Sequence, residues 1–260
     1  MEKGNTMQEE KKNKILDLNP MTQITMCLFF AISTALYDYI YTAAVLVILF
    51  VIAGMAGRLK EFVQMWLKTI VFITVVVFIM QALFFPGDTI LWEFFIFSVK
   101  QEGIQNGIVL CTRLLGIGSS AVLAIKIVDV NQLVIALEER GVSPSATYVI
   151  LSTVNIIPQM SKKMAIIMDA QKSRGIETES NVLVRAKAFF PTIGPLILNS
   201  IVNAEERTIT LEARAFSTNV KKTRLRNVED TAFDKKVRGF FILALLIAVI
   251  GRVIVWMLFM

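Results

Sequence analysis

The sequence predicts an all-α polytopic membrane protein. It has about five transmembrane helices, with long amphipathic helices on the cytosolic side between the fourth and the fifth. Three observations carry this. Of the 260 residues, 55% are apolar and the mean hydropathy is +0.63, far above a soluble domain of this length. Five apolar runs approach the roughly 20 residues a transmembrane helix needs. Lys and Arg alternate between the connecting segments in the pattern that sets orientation.

The elements follow in order. Residues 1–20 form a leader with Lys3, Lys11, Lys12 and Lys14. Residues 21–128 hold the first four spans: Met21 to Tyr37, Ile40 to Gly57, Trp66 to Phe85 and Ile108 to Val128. The first is as short as a signal-peptide core, but three more spans follow it closely, so it reads as an uncleaved anchor. Residues 129–238 form a polar, helix-patterned segment, and residues 239–260 form the last span. The turn near Asp38 has no basic residue. The loop after the second span has Arg58 and Lys60, and the stretch from Pro86 to Gly107 has only Lys100 against three acids. The N-terminus and residues 129–238 are therefore cytosolic and the C-terminus lies outside.

The cytosolic segment has helical periodicity and few glycines. "DVNQLVIALEERG" reads as a short helix capped by Asn131 and ended by Gly141. A long helix then opens with Ser143 as N-cap and Pro144 at its first position, and Pro158 is expected to kink or split it. Met160, Met164, Ile167 and Met168 share one face. They suit either a sliding contact with a partner or packing against the next helix. That next helix is capped by Ser180 or Asn181 and interrupted by Pro191 and Pro195. Its less polar stripe is Leu196, Ile197, Ser200, Ile201, Ala204, Thr208 and Leu211.

Each long helix ends on a small-Arg-small triplet: Ser173-Arg174-Gly175, then Ala213-Arg214-Ala215. A basic residue in a last helical turn interacts well with the free carbonyls, and Gly175 is an ordinary residue to follow a helix. Ala215 is not a natural helix stop, so capping leaves the small neighbours of Arg214 unexplained. Small flanks allow a planar, always-charged guanidinium to enter a groove on another protein.

These features resemble the transmembrane T component of energy-coupling factor transporters, vitamin and metal-ion uptake systems of the ABC type. The resemblance rests on the two triplets between the fourth and fifth spans. "LNPMTQI" (Leu18 to Ile24), at the start of the first span, and "EERGVSPSATY" (Glu138 to Tyr148) add to it. Ser173 and Ala215 depart from the family's Ala-Arg-Gly pattern but stay small. Asn19, Met21 and Gln23 depart from its pattern at the first span. The resemblance implies a non-catalytic coupling subunit. Two cytosolic ABC-type ATPase subunits would receive Arg174 and Arg214, one each. The long helices would pass their motion to a separate substrate-binding S component.

The residues themselves exclude several classes. There is no histidine and no glycine-lysine phosphate loop. Cys27 and Cys111 lie in apolar runs as reduced small hydrophobes, and no cofactor or metal is called for. A membrane enzyme is the alternative, but the cytosolic carboxylates are scattered, with no paired spacing. A stand-alone transporter would show inverted repeats, and none is evident. Gly116, Gly118, Ser119, Ser120 and Ala121 suit close helix approach, either within the chain or with the S component. Arg113 and Arg252 suit snorkelling or a pair with Asp38 or Glu102. "KKTRLR" (Lys221 to Arg226) suits lipid headgroups at the bilayer surface, not nucleic acid.

Overall fold

The computed structural model describes residues 15, 18–86, 90–94, 97–175, 182–218, 228 and 230–259. Among them are eight helices: α1 (Pro20–Leu36), α2 (Tyr39–Met55), α3 (Leu59–Phe84), α4 (Gln101–Ile127), α5 (Val130–Glu139), α6 (Pro144–Ser173), α7 (Val182–Ala213) and α8 (Ala232–Phe259). Three helices are long and apolar enough to cross a membrane: α3, α4 and α8. The helices α1 and α2 are apolar but only 17 residues each, at the short end of the spanning range.

Three spans start earlier than hydropathy places them: α3 at Leu59 rather than Trp66, α4 at Gln101 rather than Ile108, and α8 at Ala232 rather than Gly239. A helix does not stop where its side chains turn polar, and acids in the first turn, Glu61, Glu102 and Asp234, favour the helix dipole. One departure from an all-α fold is a hairpin of β1 (Ile90–Phe94) and β2 (Phe97–Lys100), with Trp92 paired to Val99 and Phe94 to Phe97. Its aromatic and β-branched content is what a strand prefers, and the search for apolar runs passes over it.

The chain forms two compact units, residues 1–136 with 228–260, and residues 137–227. In the first, α4 is central and packs against α1, α2 and α3, while α8 packs on α1. The core is Met26, Cys27, Phe30, Val45, Leu49, Phe62, Val122 and Leu123, with both cysteines free and buried. The small residues of α4 serve this packing. A Cβ on Gly116 would lie 2.6 Å from the Thr34 Cβ of α1, and one on Gly118 would lie 2.7 Å from the Ile70 Cδ1 of α3. Trp66 donates its indole N–H to Ser119 Oγ at 2.7 Å, from a π-helical stretch, Trp66–Val71, within α3. Internal packing thus occupies the patch that also suited a docking partner.

The "LNPMTQI" stretch is a junction. Asn19 caps α1 by accepting from the Met21 N–H at 3.0 Å, with Pro20 at the first position. The Asn19 backbone N–H donates to Asp234 Oδ1 at 3.1 Å, tying the first helix to the last. Thr231 and Asp234 complete a capping box at the start of α8. The Asp234 N–H donates to Thr231 Oγ1 at 3.2 Å, and the Thr231 N–H donates to Asp234 Oδ2 at 3.3 Å. The Gln23 amide donates to the Ile15 carbonyl at 2.9 Å.

Ahead of the second unit, Asp129 rather than Asn131 caps α5. Its Oδ1 accepts from the Asn131 N–H at 2.9 Å, so the cap lies two residues nearer the N-terminus than expected. Ser143 caps α6 as predicted, accepting from the Ala146 N–H at 3.3 Å. Pro158 does not split α6, nor do Pro191 and Pro195 split α7. A proline removes one hydrogen bond, and the turns on either side carry the helix across it. Ser180, Asn181, and Lys221 to Arg226 lie outside the described residues.

The pair α6 and α7 is antiparallel. The Tyr148 ring meets that of Phe216, with centroids 5.2 Å apart. Gln159 accepts from Arg207 at 3.5 Å, and Thr192 donates to Met164 Sδ at 3.8 Å. As numbers rise on one helix they fall on the other. Met160, Met164, Ile167 and Met168 are half-buried on the facing side, so their stripe packs the two helices together. On α7 the inward side is more polar than expected. Thr192, Leu196, Ser200, Asn203, Arg207 and Leu211 turn inward, while Ile197 and Ile201 stay more than half exposed.

Candidate functional site

Arg174 and Arg214 occupy the same position in the same helix-ending turn. Each follows the last helical residue, Ser173 or Ala213. Arg174 sits at φ −88° and ψ 7°. The residue after each arginine is left-handed, Gly175 at φ +84° and Ala215 at φ +57°. The Gly175 N–H donates to the Lys172 carbonyl at 2.9 Å, and the Ala215 N–H donates to the Glu212 carbonyl at 2.9 Å. At the second site the Phe216 N–H reaches back to the Leu211 carbonyl at 3.0 Å, completing a Schellman motif.

This corrects the expectation that capping leaves Ala215 unexplained. A small residue follows Arg214 because the left-handed conformation penalises a Cβ, and a larger or branched side chain still more. Ala215 is the one described non-glycine residue with positive φ. Sequence reasoning also missed a third instance. Arg140 ends α5, Gly141 follows at φ +97°, and the Val142 N–H donates to the Leu137 carbonyl at 3.3 Å. The Arg-Gly pair in "EERG" was the available signal. Helix ending thus accounts for the small residue after each arginine, but not for the arginine itself.

The guanidinium ends are presented outward. Both Arg174 and Arg214 are exposed, and among the described residues neither meets a carboxylate. The turn beneath Arg214 is braced. Phe216 packs on Tyr148, and Thr218 Oγ1 donates to the Ala215 carbonyl at 2.6 Å. Because the helices are antiparallel, Arg214 lies near the start of α6 and Arg174 at its other end. A 30-residue helix is about 45 Å long when straight, which places the two arginines tens of ångströms apart. Among the described residues, no group of three His, Cys, Asp or Glu converges to hold a metal.

The cap geometry has a measurable consequence. Gly175→Ala should weaken the end of α6 by about 1 kcal/mol through backbone strain alone, since nothing lies within 4 Å of its Cβ position. Ala215→Gly should tighten the end of α7 by a similar amount. Amide hydrogen exchange in the last turns should therefore speed up in the first variant and slow in the second, each by about fivefold. Unchanged exchange in both would contradict the cap assignment.

The family model described as "CbiQ: Cobalt transport protein" matches residues 11–225. The chain belongs to the CbiQ family. Curated relatives agree. An energy-coupling factor transporter transmembrane protein EcfT from Ruminiclostridium cellulolyticum is 30% identical, over 69% of this chain and 70% of its own length. A protein of the same name from Heliobacterium modesticaldum is 26% identical, over 87% and 90%. One from Leuconostoc gelidum is 30% identical, over 76% of each. This CbiQ-family chain is a multi-pass membrane protein, the transmembrane component of an energy-coupling factor transporter, and a non-catalytic subunit.

Proposed function

We propose that α6 and α7 form the coupling element of an ATP-driven importer, with Ser173-Arg174-Gly175 and Ala213-Arg214-Ala215 each seated in one of two ABC-type ATPase subunits. The observation that carries this is the twin cap: two exposed arginines in one backbone geometry, at opposite ends of an antiparallel helix pair. Two separated, equivalent knobs suit two equivalent receptors. Arginine suits such a receptor because its planar fork makes bidentate bonds and its charge is permanent. Closure of the ATPases would then move both ends of one rigid lever. The lever would act on a substrate-binding S component in the membrane, and that component would choose the vitamin or metal ion carried.

The same reading has five spans, with α1 and α2 crossing beside α3, α4 and α8. Residues 1–20 and 129–238 are cytosolic. The long apolar outer faces, such as Phe72, Leu243 and Ile247, each more than half exposed, meet lipid. Single cysteines test the orientation, in a background where Cys27 and Cys111 are alanine. An impermeant thiol reagent on intact cells should label Pro86→Cys, on the outer side. It should reach Glu206→Cys and Ser217→Cys only after permeabilisation. Labelling of Glu206→Cys in intact cells would put the helix pair outside the cell and remove the mechanism.

A further inference from the structure

The helix α1 ends at Leu36, but its neighbours α4 and α8 run on past it. A Cβ on Gly116 of α4 would lie 2.6 Å from the Thr34 Cβ, in the last turn of α1. The Tyr37 hydroxyl donates to the Ala248 carbonyl of α8 at 3.3 Å. These contacts mark the level of the α1 end on each neighbour. About one turn farther along, each neighbour carries an arginine. Arg113 lies three residues from Gly116 and Arg252 four residues from Ala248, offsets that keep each on the face turned to α1. Both are exposed, because α1 no longer covers them, and among the described residues neither meets an acid. Asp38, the partner that the sequence offered, stands exposed at the turn between α1 and α2, makes no capping bond and pairs with neither arginine. Three of the chain's four tyrosines, Tyr37, Tyr39 and Tyr41, gather at the same turn, with the Tyr37 and Tyr41 rings 5.0 Å apart. Tyrosines gather where a membrane meets water. From this level an apolar track leads back along α1, where Ile32 and Leu28 stand exposed on successive turns.

We propose that Arg113 and Arg252 together hold the headgroup phosphate of an anionic phospholipid over the end of α1, with its acyl chains along Ile32 and Leu28. Helices α4 and α8 both pack on α1. Packed helices lie about 8–10 Å apart, so both side chains start close to the α1 axis and reach the space above its end. A guanidinium suits phosphate because its planar fork donates two parallel bonds. An arginine in a span is costly unless it reaches a partner or the headgroup layer, and a phosphate at the tyrosine level supplies both. Two guanidiniums against the single carboxylate of Asp38 leave positive charge in excess, which selects a net anionic head over a zwitterionic one. A soluble phosphate offers the same oxygens but leaves the apolar track bare, so the lipid is the source. The site rests on the five spans proposed above and does not depend on the coupling role.

The test is titration of the full chain, captured from native membranes with whatever it binds, with phosphatidylglycerol, the bound lipid being counted by native mass spectrometry. Arg113→Gln with Arg252→Gln should weaken retention at least tenfold. Asp38→Asn should strengthen it severalfold, because it removes the competing carboxylate. Lys68→Gln, which removes an exposed cation elsewhere in the membrane unit, should leave it at the wild-type level. Phosphatidylcholine should bind more weakly than phosphatidylglycerol, and excess inorganic phosphate should not displace the lipid. Wild-type retention in the double variant overturns the proposal. Weaker retention in Asp38→Asn makes that carboxylate the arginines' own partner and also overturns it. A loss in Lys68→Gln equal to that in the double variant would show diffuse charge and no site. Equal binding of phosphatidylcholine, or displacement by inorganic phosphate, overturns the assignment to an anionic lipid. Failure of the cysteine-labelling pattern given above would instead defeat the spans.

Discussion

Arg174→Glu and Arg214→Glu should each insert into the membrane at normal levels and lose most uptake. Both side chains stand exposed on their turns with no described carboxylate partner. Folding therefore does not depend on them. An arginine held at an interface hot spot is worth on the order of a hundredfold in partner affinity, and reversing its charge costs more than removing it. Each single variant should weaken one ATPase contact and uncouple ATP hydrolysis from transport, and the double variant should abolish both. Lysine should rescue only in part, because an ammonium cannot reproduce a planar fork. The comparison with Arg140 is informative. It occupies the same turn at the end of the ten-residue α5, and Arg140→Glu should have a smaller effect. Uptake assays with quantified membrane levels decide this. Normal transport in both Glu variants would reduce the arginines to helix-end charges.

Asp234→Ala should be the most destabilising single change in the membrane unit outside its apolar core. The carboxylate is 2% exposed and accepts from the Asn19 backbone and from Thr231. Truncation leaves the buried Asn19 N–H without an acceptor, at a cost of about 1–3 kcal/mol, and removes the link between α1 and α8. Asp234→Asn keeps one acceptor oxygen and should lose less. Thermal inactivation of the purified chain in detergent should rank wild type above Asn and Asn above Ala. Equal stability of all three would mean the junction carries no strain-bearing load.

Much of this was legible in the residues. Ser143 and Pro144 announce the start of α6 because a cap oxygen and a fixed φ are local properties. The five apolar runs announce helices because lipid demands internal hydrogen bonding. What stayed hidden depends on the third dimension. Asp129 and Asn131 are both good caps, and only the chain's path selects the first. Ile197 and Ile201 look like core by periodicity, yet α7 turns Ser200, Asn203 and Arg207 toward its neighbour instead. The left-handed φ of Ala215 has no glycine to signal it. The Asn19–Asp234 bond joins residues 215 positions apart, beyond any local pattern. The triplets at Arg174 and Arg214 were found by their repetition, and the structure adds why their second small residue is required.

The most direct measurement is cross-linking from the caps themselves. Cysteines at Ser173 and Ala213, in a chain lacking Cys27 and Cys111, flank the two arginines and are exposed. In complexes captured from native membranes, each should cross-link to an ATPase subunit. With both present, one chain should carry two ATPases at once. Adducts to lipid or to this chain alone at both positions, with the ATPases present but unlinked, would contradict the central claim that each helix end is held by an ATPase.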